Sequence, residues 1–191
     1  MSISATSINT LWLIFVLYWF VLAFFAKKSI VRGLRWRQTI WFRVLLIIAV
    51  LIIVHVQSAH NSLWKSLTFS FTNPIVNTIG IVVCALGLGL AVWARMYLGR
   101  NWGMPMSLRK NHELVTSGPY RYIRHPIYSG ILLAALGSTL ASTTWWLLVC
   151  VAYGAYFFYS VNVEENMMTK EFPDHYPAYM AKTKQLIPFV Y

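Results

Sequence analysis

An all-α integral membrane protein with five transmembrane helices is the fold class that three observations predict. Residues 9 to 26 carry no charge, residues 44 to 56 repeat that character, and hydrophobic residues make up 58% of a 191-residue chain of which only 11% is charged. A soluble domain of this length buries about two thirds of its surface and has no place for so much apolar area. A helix of roughly 20 apolar residues, by contrast, crosses the hydrocarbon of a bilayer.

The elements follow in order. Residues 9 to 26 form the first span and 44 to 56 the core of the second. A third runs from about Pro74 to Leu98, with Pro74 suited to a first helical turn and Arg95 placed to snorkel to the interface. Two apolar stretches, 126 to 141 and 144 to 163, are parted by Ser142, Thr143 and Thr144 and read as a tight helical hairpin. The first of them spans about 24 Å, so it crosses with help from local thinning or from surrounding protein. The first 26 residues lack a basic n-region, which predicts that the first helix is retained and not cleaved as a signal peptide.

Charge sets the orientation. The stretch from Lys27 to Arg43 holds six Lys/Arg and no acid, and the stretch from Arg95 to Arg124 holds six with one acid. The loop from 57 to 73 holds Lys65 alone. The positive-inside rule puts the first two on the cytoplasmic side, the amino terminus outside and the carboxyl terminus inside. The net charge of +11 is then a topology and anionic-lipid signal. Split between loops, with no nucleic-acid module to organise it, it gives no reason to expect a nucleic-acid partner. Cys84 and Cys150 lie in apolar stretches without a CxxC or a histidine neighbour, so neither a disulfide framework nor a metal site is expected.

The acidic residues Glu113, Glu164, Glu165, Glu171 and Asp174 all lie in the second half, and the first 112 residues have none. An acid-free first half suits an anchor, and any site is expected to be cytoplasmic and carboxy-terminal: residues 1 to 73 read as an anchor of two helices and residues 74 to 191 as the core that would carry the site. The core consists of the third span, a cytoplasmic loop at 99 to 125, the hairpin at 126 to 163 and a cytoplasmic carboxy-terminal segment at 164 to 191. Within it, SGPYRYIRHPIYSG (117 to 130) concentrates rigid and polar residues in one bend. Pro126 suits the first position of a helix, which puts Arg124 and His125 at an amino terminus whose partial positive charge favours an anion. Glu164 and Glu165 continue the fifth helix past its apolar run, with Glu171 on the face of Glu164. Phe172, Tyr176 and Tyr179 suit an interfacial aromatic belt. Gly87-x-Gly89 in the third span predicts close helix packing, and His55 and His60 are interfacial.

The order LGRNW (98 to 102), HELVTSGPYRYIRHPIYSG (112 to 130), an apolar hairpin, EEN (164 to 166), EFPDHYPAYM (171 to 180) and LIPF (186 to 189) resembles the isoprenylcysteine carboxyl methyltransferase family, integral membrane enzymes related to the phospholipid N-methyltransferases. The resemblance covers roughly residues 95 to 191. It implies S-adenosylmethionine as cofactor, held by His112, Leu114, Val115, Gly118, Tyr120, Arg124, His125, Pro126 and Tyr128 with Glu164 and Glu165 opposite. Arg124, Glu164 and Glu165 are the candidate catalytic residues. Chemically, Arg124, His125 and the helix terminus suit the cofactor's carboxylate. Tyr120, Tyr122 and Tyr128 suit a slot for its adenine, and a glutamate suits its ammonium or a ribose hydroxyl. Lys182 stands where the eukaryotic members carry a basic substrate-side residue, without arginine's bidentate fork; Tyr176 and Tyr179 join it as substrate candidates.

The implied reaction is O-methylation of a lipophilic acceptor that enters from the bilayer, typically an isoprenylcysteine carboxylate, at a site facing the cytoplasm, from the inner or plasma membrane if the source is a bacterium. A phospholipid amine or a small hydrophobic thiol would use the same cofactor site. An NADPH-dependent membrane reductase shares the Arg-His-Pro element but has more spans. A non-enzymatic membrane protein, such as a transporter, predicts midplane charges or an inverted repeat. The sequence sets no oligomeric state.

Overall fold

The computed structural model describes residues 2–23, 25, 70–102 and 113–187. The expected second span, the basic stretch after the first, His55, His60 and His112 lie outside the described residues. Within them the chain is helical: α1 (Ile3–Ala23), α2 (Pro74–Leu98), α3 (Pro126–Ala141), α4 (Trp145–Glu171) and the short α5 (Tyr176–Lys182), with 3-10 turns at Gly99–Asn101 and Gly118–Arg121. Among the described residues, α1, α2 and α4 are long and apolar enough to cross a membrane, and α3 is a shorter apolar helix.

Local residues set the start of α2 and α3 and the end of each. Asn73 caps α2 by accepting a 2.9 Å hydrogen bond from the Ile75 amide, and Pro74 fills the first helical position, where its missing N–H costs nothing. Gly99 ends α2 at φ +50°, a conformation that favours glycine. Pro126 opens α3 as expected, and Ser142 and Thr143 part it from α4.

α2 and α3 pack backbone to backbone. A Cβ at Gly87 would lie 2.5 Å from the Ala134 amide nitrogen and 2.6 Å from the Gly130 carbonyl oxygen. One at Gly80 would lie 2.5 Å from the Ala141 nitrogen. As α2 ascends from Gly80 to Gly87, its partners on α3 descend from Ala141 to Gly130, so the two helices are antiparallel. Small residues make this approach possible, and dispersion between the close backbones holds it. Gly89 has nothing within 4 Å of a notional Cβ, so the packing expected of the Gly87-x-Gly89 pair belongs to Gly87 alone.

α1 covers this seam. Trp12 Nε1 donates to Ser138 Oγ at 3.0 Å and its ring stacks on Trp146 at 5.2 Å, while Ile8 and Phe15 join Cys84, Leu88 and Ala134 in one apolar core. Ser138, fully buried on α3, is thereby satisfied, because it also donates to the Ala134 carbonyl at 2.8 Å. Trp12 sits at the level of Cys84 and Leu22 at the level of Arg95, so α1 and α2 run parallel. That is the relation required of the first and third spans in a five-span chain. The short α3 is thus flanked by α1, α2 and α4, the protein surroundings that a 16-residue helix needs.

Arg95 departs from expectation. Instead of snorkelling, it is 2% exposed. Its Nη2 donates to the Leu22 carbonyl at 3.0 Å, its Nη1 donates to the Gly99 carbonyl, and the guanidinium lies 4.6 Å over the Trp102 ring. The reason lies in the helix ends. Leu22 is in the last turn of α1, where carbonyls lack the regular intrahelical donor; its carbonyl accepts from the Phe25 amide at 3.2 Å and from the buried Arg95 fork, while an aromatic face shields the charge.

Candidate functional site

The carboxyl ends of α2 and α4, the amino end of α3 and all of α5 meet at one end of the bundle. The bend at 117–125 organises it. Gly118 adopts φ +60°, and any Cβ there would lie 2.5 Å from the Tyr97 ring, so both backbone and space require glycine. Pro119 then starts a 3-10 turn that buries Tyr120, whose carbonyl accepts a 2.6 Å hydrogen bond from the Tyr179 hydroxyl. Tyr122 is 53% exposed on the outside of this turn and does not join the slot expected for it.

α4 continues unbroken to Glu171, so Glu164 and Glu165 are presented on a rigid helix opposite the start of α3. Arg124 Nε donates to Glu165 Oε1 at 2.7 Å. His125 lies between the two acids, with Nδ1 3.4 Å from Glu164 Oε2 and Nε2 3.4 Å from Glu165 Oε1. At that length and alignment the second contact is an ion-pair approach, and Nε2 is buried without a hydrogen-bond partner. Tyr128 donates to Glu164 Oε1 at 2.6 Å and stacks between His125 and Phe157, with ring centroids 5.5 and 4.3 Å away. Burial opposes a charge on His125, but the carboxylates of Glu164 and Glu165 outweigh it and hold the imidazole pKa above its usual value. Glu171 is exposed at the end of α4, away from this cluster.

The carboxy-terminal segment straps the cluster together. Lys184 pairs with Ile123 as a short parallel bridge, and the Arg124 and His125 amides donate to the Lys184 and Gln185 carbonyls at 2.8 and 3.0 Å. Arg124 Nη1 donates to the Thr183 carbonyl and, at 3.3 Å, to that of Met180. Gln185 Nε2 donates to Glu165 Oε2 at 3.0 Å, and Ser129 Oγ donates to the Leu186 carbonyl. The sequence offered no signal for Thr183 or Gln185, because a tail that contributes mainly carbonyls has no side-chain pattern to read.

The other candidates are spread around this centre. Pro126 is buried at the first turn of α3, and Val115 is half-buried. Tyr176 is buried and packs on the half-buried Tyr179 with ring centroids 5.8 Å apart. Leu114, Tyr179 and Lys182 line a neighbouring cavity of about 820 Å3. Among the described residues, no group of three or more His, Cys, Asp or Glu side chains is arranged to hold a metal ion.

Two motifs 40 residues apart, one Arg-His-Pro and one Glu-Glu, are thus fused into a single buried network. The phospholipid methyltransferase family matches residues 75–175, more than half of the chain and the whole of this network up to the strap. The protein belongs to the phospholipid methyltransferase family. Among its relatives, the protein-S-isoprenylcysteine O-methyltransferase of Schizosaccharomyces pombe is 29% identical over 131 residues, which are 66% of this chain and 56% of that one. Protein-S-isoprenylcysteine O-methyltransferase B of Arabidopsis thaliana is 28% identical over 119 residues, 60% of each chain. The cobalt-zinc-cadmium resistance protein CzcN of Cupriavidus metallidurans is 28% identical over 124 residues, 62% of this chain and 52% of that one. The matches span little more than half the length of these relatives.

For a methyltransferase of this family the network's chemistry fits an adenosyl cofactor. Two carboxylates face one permanent cation and one histidine whose charged form they favour, so acceptor oxygens and donor N–H groups are both present to meet a ligand that carries an ammonium and a carboxylate. Two buried polar atoms, His125 Nε2 and Gln185 Oε1, have no hydrogen-bond partner. Glu164 is the more open of the acids, with 22% of its side chain exposed against 9% for Glu165. A polar ligand that entered here would therefore meet Glu164 first.

Proposed function

We propose that the protein is an S-adenosylmethionine-dependent integral membrane methyltransferase that methylates the carboxylate of an isoprenylcysteine-like acceptor entering from the bilayer. The observation that carries this reading is the meeting of Arg124 and His125 with Glu164 and Glu165 at the end of the hairpin. In the proposed site His112, Leu114, Val115, Gly118, Tyr120, Pro126 and Tyr128 surround the cofactor together with those four residues. S-adenosylmethionine, when bound, supplies an electrophilic methyl group.

The chain's residues bind and orient. Glu164 holds the cofactor's ammonium or a ribose hydroxyl, while Glu165 fixes Arg124 and His125, whose positive charge faces a carboxylate. Tyr128 keeps Glu164 and His125 in register through its hydroxyl and its ring. The main task is to align the acceptor and exclude water, since methyl transfer is an in-line displacement that gains most from proximity. A carboxylate acceptor arrives deprotonated, so no general base is needed. Lys182, Tyr179 and, behind it, Tyr176 form the acceptor side.

The parallel run of α1 and α2 supports five spans, with the amino terminus outside and the site on the cytoplasmic side of an inner or plasma membrane. Residues 1 to 73 then serve as anchor and 74 to 191 as catalytic core. The family description favours a second acceptor, a phospholipid amine. Incubating the purified protein with methyl-labelled cofactor and, separately, N-acetyl-S-farnesylcysteine and phosphatidylethanolamine tests both. Label in the first product supports the carboxylate reading, label in the second replaces it with the amine, and transfer to neither in folded protein contradicts the methyl-transfer reading.

A further inference from the structure

The carboxy-terminal strap brings into the network one side chain whose hydrogen bonding is only half used. Gln185 Nε2 donates to Glu165 Oε2 at 3.0 Å, while its Oε1 is buried and, among the described residues, has no hydrogen-bond partner. The amide cannot turn to relieve this, because its oxygen would then face a carboxylate oxygen. A buried acceptor without a donor lowers stability and calls for a reason. His125 Nε2 is the matching case of a donor: it lies 3.4 Å from the other oxygen of the same Glu165, buried and without a hydrogen-bond partner. Against the effect of burial, Glu164 and Glu165 favour the charged imidazole, in which both ring nitrogens carry a proton. Both oxygens of Glu165 are engaged, Oε1 by Arg124 Nε at 2.7 Å and Oε2 by Gln185. One unmet acceptor and one unmet donor thus flank a single carboxylate.

The strap fixes where that acceptor stands. The His125 amide donates to the Gln185 carbonyl at 3.0 Å, Lys184 bridges Ile123, and Leu186 packs against the cluster of Tyr128 and Phe157 while its carbonyl accepts from Ser129. Such preorganisation lowers the ordering cost of binding. We propose that Gln185 is a specificity-determining residue for the cofactor: its Oε1 accepts a hydrogen bond from the α-ammonium of the cofactor's amino-acid end, while His125 Nε2 donates to the α-carboxylate. Those two ligand groups sit on one carbon, as the two unmet atoms sit beside one glutamate. Gln185 lies beyond residues 75–175, the span that the family matches, so the role falls to a tail outside that span. It presupposes the adenosyl-cofactor reading and narrows it: Glu164 supplies negative charge toward the ammonium, and Gln185 supplies a directed, neutral acceptor that leaves the charge of Glu165 to Arg124 and His125.

The test uses the full chain in detergent and measures, by calorimetry, binding of S-adenosylhomocysteine and of its deamino analogue, which keeps the adenosine and the carboxylate but lacks the α-amino group. The unaltered chain is expected to favour S-adenosylhomocysteine by about tenfold, the order of a hydrogen bond to a charged group. Gln185→Met, which keeps length and removes the amide, is expected to cut that preference about fivefold. A cut of less than about twofold overturns the role, whatever happens to the absolute affinities. Loosening Glu165 alone would weaken both compounds alike, so the ratio separates recognition of the ammonium from structural support. If Gln185→Met fails to fold, hydrogen exchange at the amides of residues 183–187 in the unaltered chain decides: stronger slowing by saturating S-adenosylhomocysteine than by the saturating analogue supports the role, and equal slowing overturns it. Equal affinity of the unaltered chain for the two compounds overturns the role and leaves the cofactor reading standing, whereas binding of neither by folded protein removes both.

Discussion

Arg124 Nε and Glu165 Oε1 are 2.7 Å apart, with each side chain only 9% exposed, and this one bond joins the start of α3 to the end of α4. Because Arg124 also holds the Thr183 and Met180 carbonyls, the pair fastens the tail as well as the hairpin. Removing one partner from a buried pair leaves an uncompensated charge and costs about 3–5 kcal/mol. Arg124→Ala and Glu165→Gln are each expected to lower the thermal midpoint sharply. Their combination is expected to cost less than the sum, which a double-mutant cycle in denaturant measures.

Glu164 and Glu165 are adjacent but have different work. Glu164→Gln keeps the Tyr128 contact and removes charge at the more open position, so S-adenosylhomocysteine affinity is expected to fall about tenfold, the order of one charge-assisted hydrogen bond, with a smaller loss of midpoint than Glu165→Gln. Glu165→Gln is expected to show its loss in stability first. Equal effects on both readouts would contradict this division.

The network also has a pH signature. Burial alone would depress the His125 pKa, but Glu164 and Glu165 raise it, so the folded state binds a proton more tightly than the unfolded chain does. The stabilisation is complete below the imidazole's unfolded pKa of about 6.5 and is lost as pH rises through the folded value. Thermal midpoints are therefore expected to decline as pH rises above about 6.5. The His125→Gln variant should show a flatter profile over the same interval.

The α2–α3 seam separates two glycines in the same helix. Gly87→Ala places a methyl group 2.5 Å from the Ala134 nitrogen and is expected to cost about 1–3 kcal/mol as the helices are forced apart. Gly89→Ala meets nothing within 4 Å and is expected to be neutral or stabilising by up to about 1 kcal/mol, the helix propensity of alanine over glycine. Comparing the two midpoints in detergent checks the assignment.

Much of this fold is legible in the sequence because apolar runs and punctuating residues act locally. Pro74 starts α2, Pro126 starts α3, and the Ser142 to Thr144 break parts α3 from α4 where the pattern places them. The gathering of Arg124, His125, Tyr128, Glu164 and Glu165 is legible through motif order. What escapes the sequence is the use to which polar groups are put. Arg95 looks like an interfacial cation, but the Leu22 carbonyl at the end of α1, distant in sequence, draws it inward. Tyr122 and Tyr120 look alike on either side of Arg121, and a single 3-10 turn sends one outward and buries the other. Gln185 carries no motif at all, since its role comes from a bridge between the tail and Ile123.

The central claim is that the network at the end of the hairpin is a site for S-adenosylmethionine. The most direct measurement is the thermal midpoint of the detergent-purified chain with S-adenosylmethionine, S-adenosylhomocysteine and NADPH in parallel, repeated with Glu164→Gln. A ligand at about 100 times its dissociation constant adds roughly 2.7 kcal/mol to the folded state. The predicted result is an upward shift with both adenosyl compounds, none with NADPH, and a reduced shift in the variant. A shift with NADPH alone, or equal adenosyl shifts with and without the Glu164 carboxylate, would contradict it.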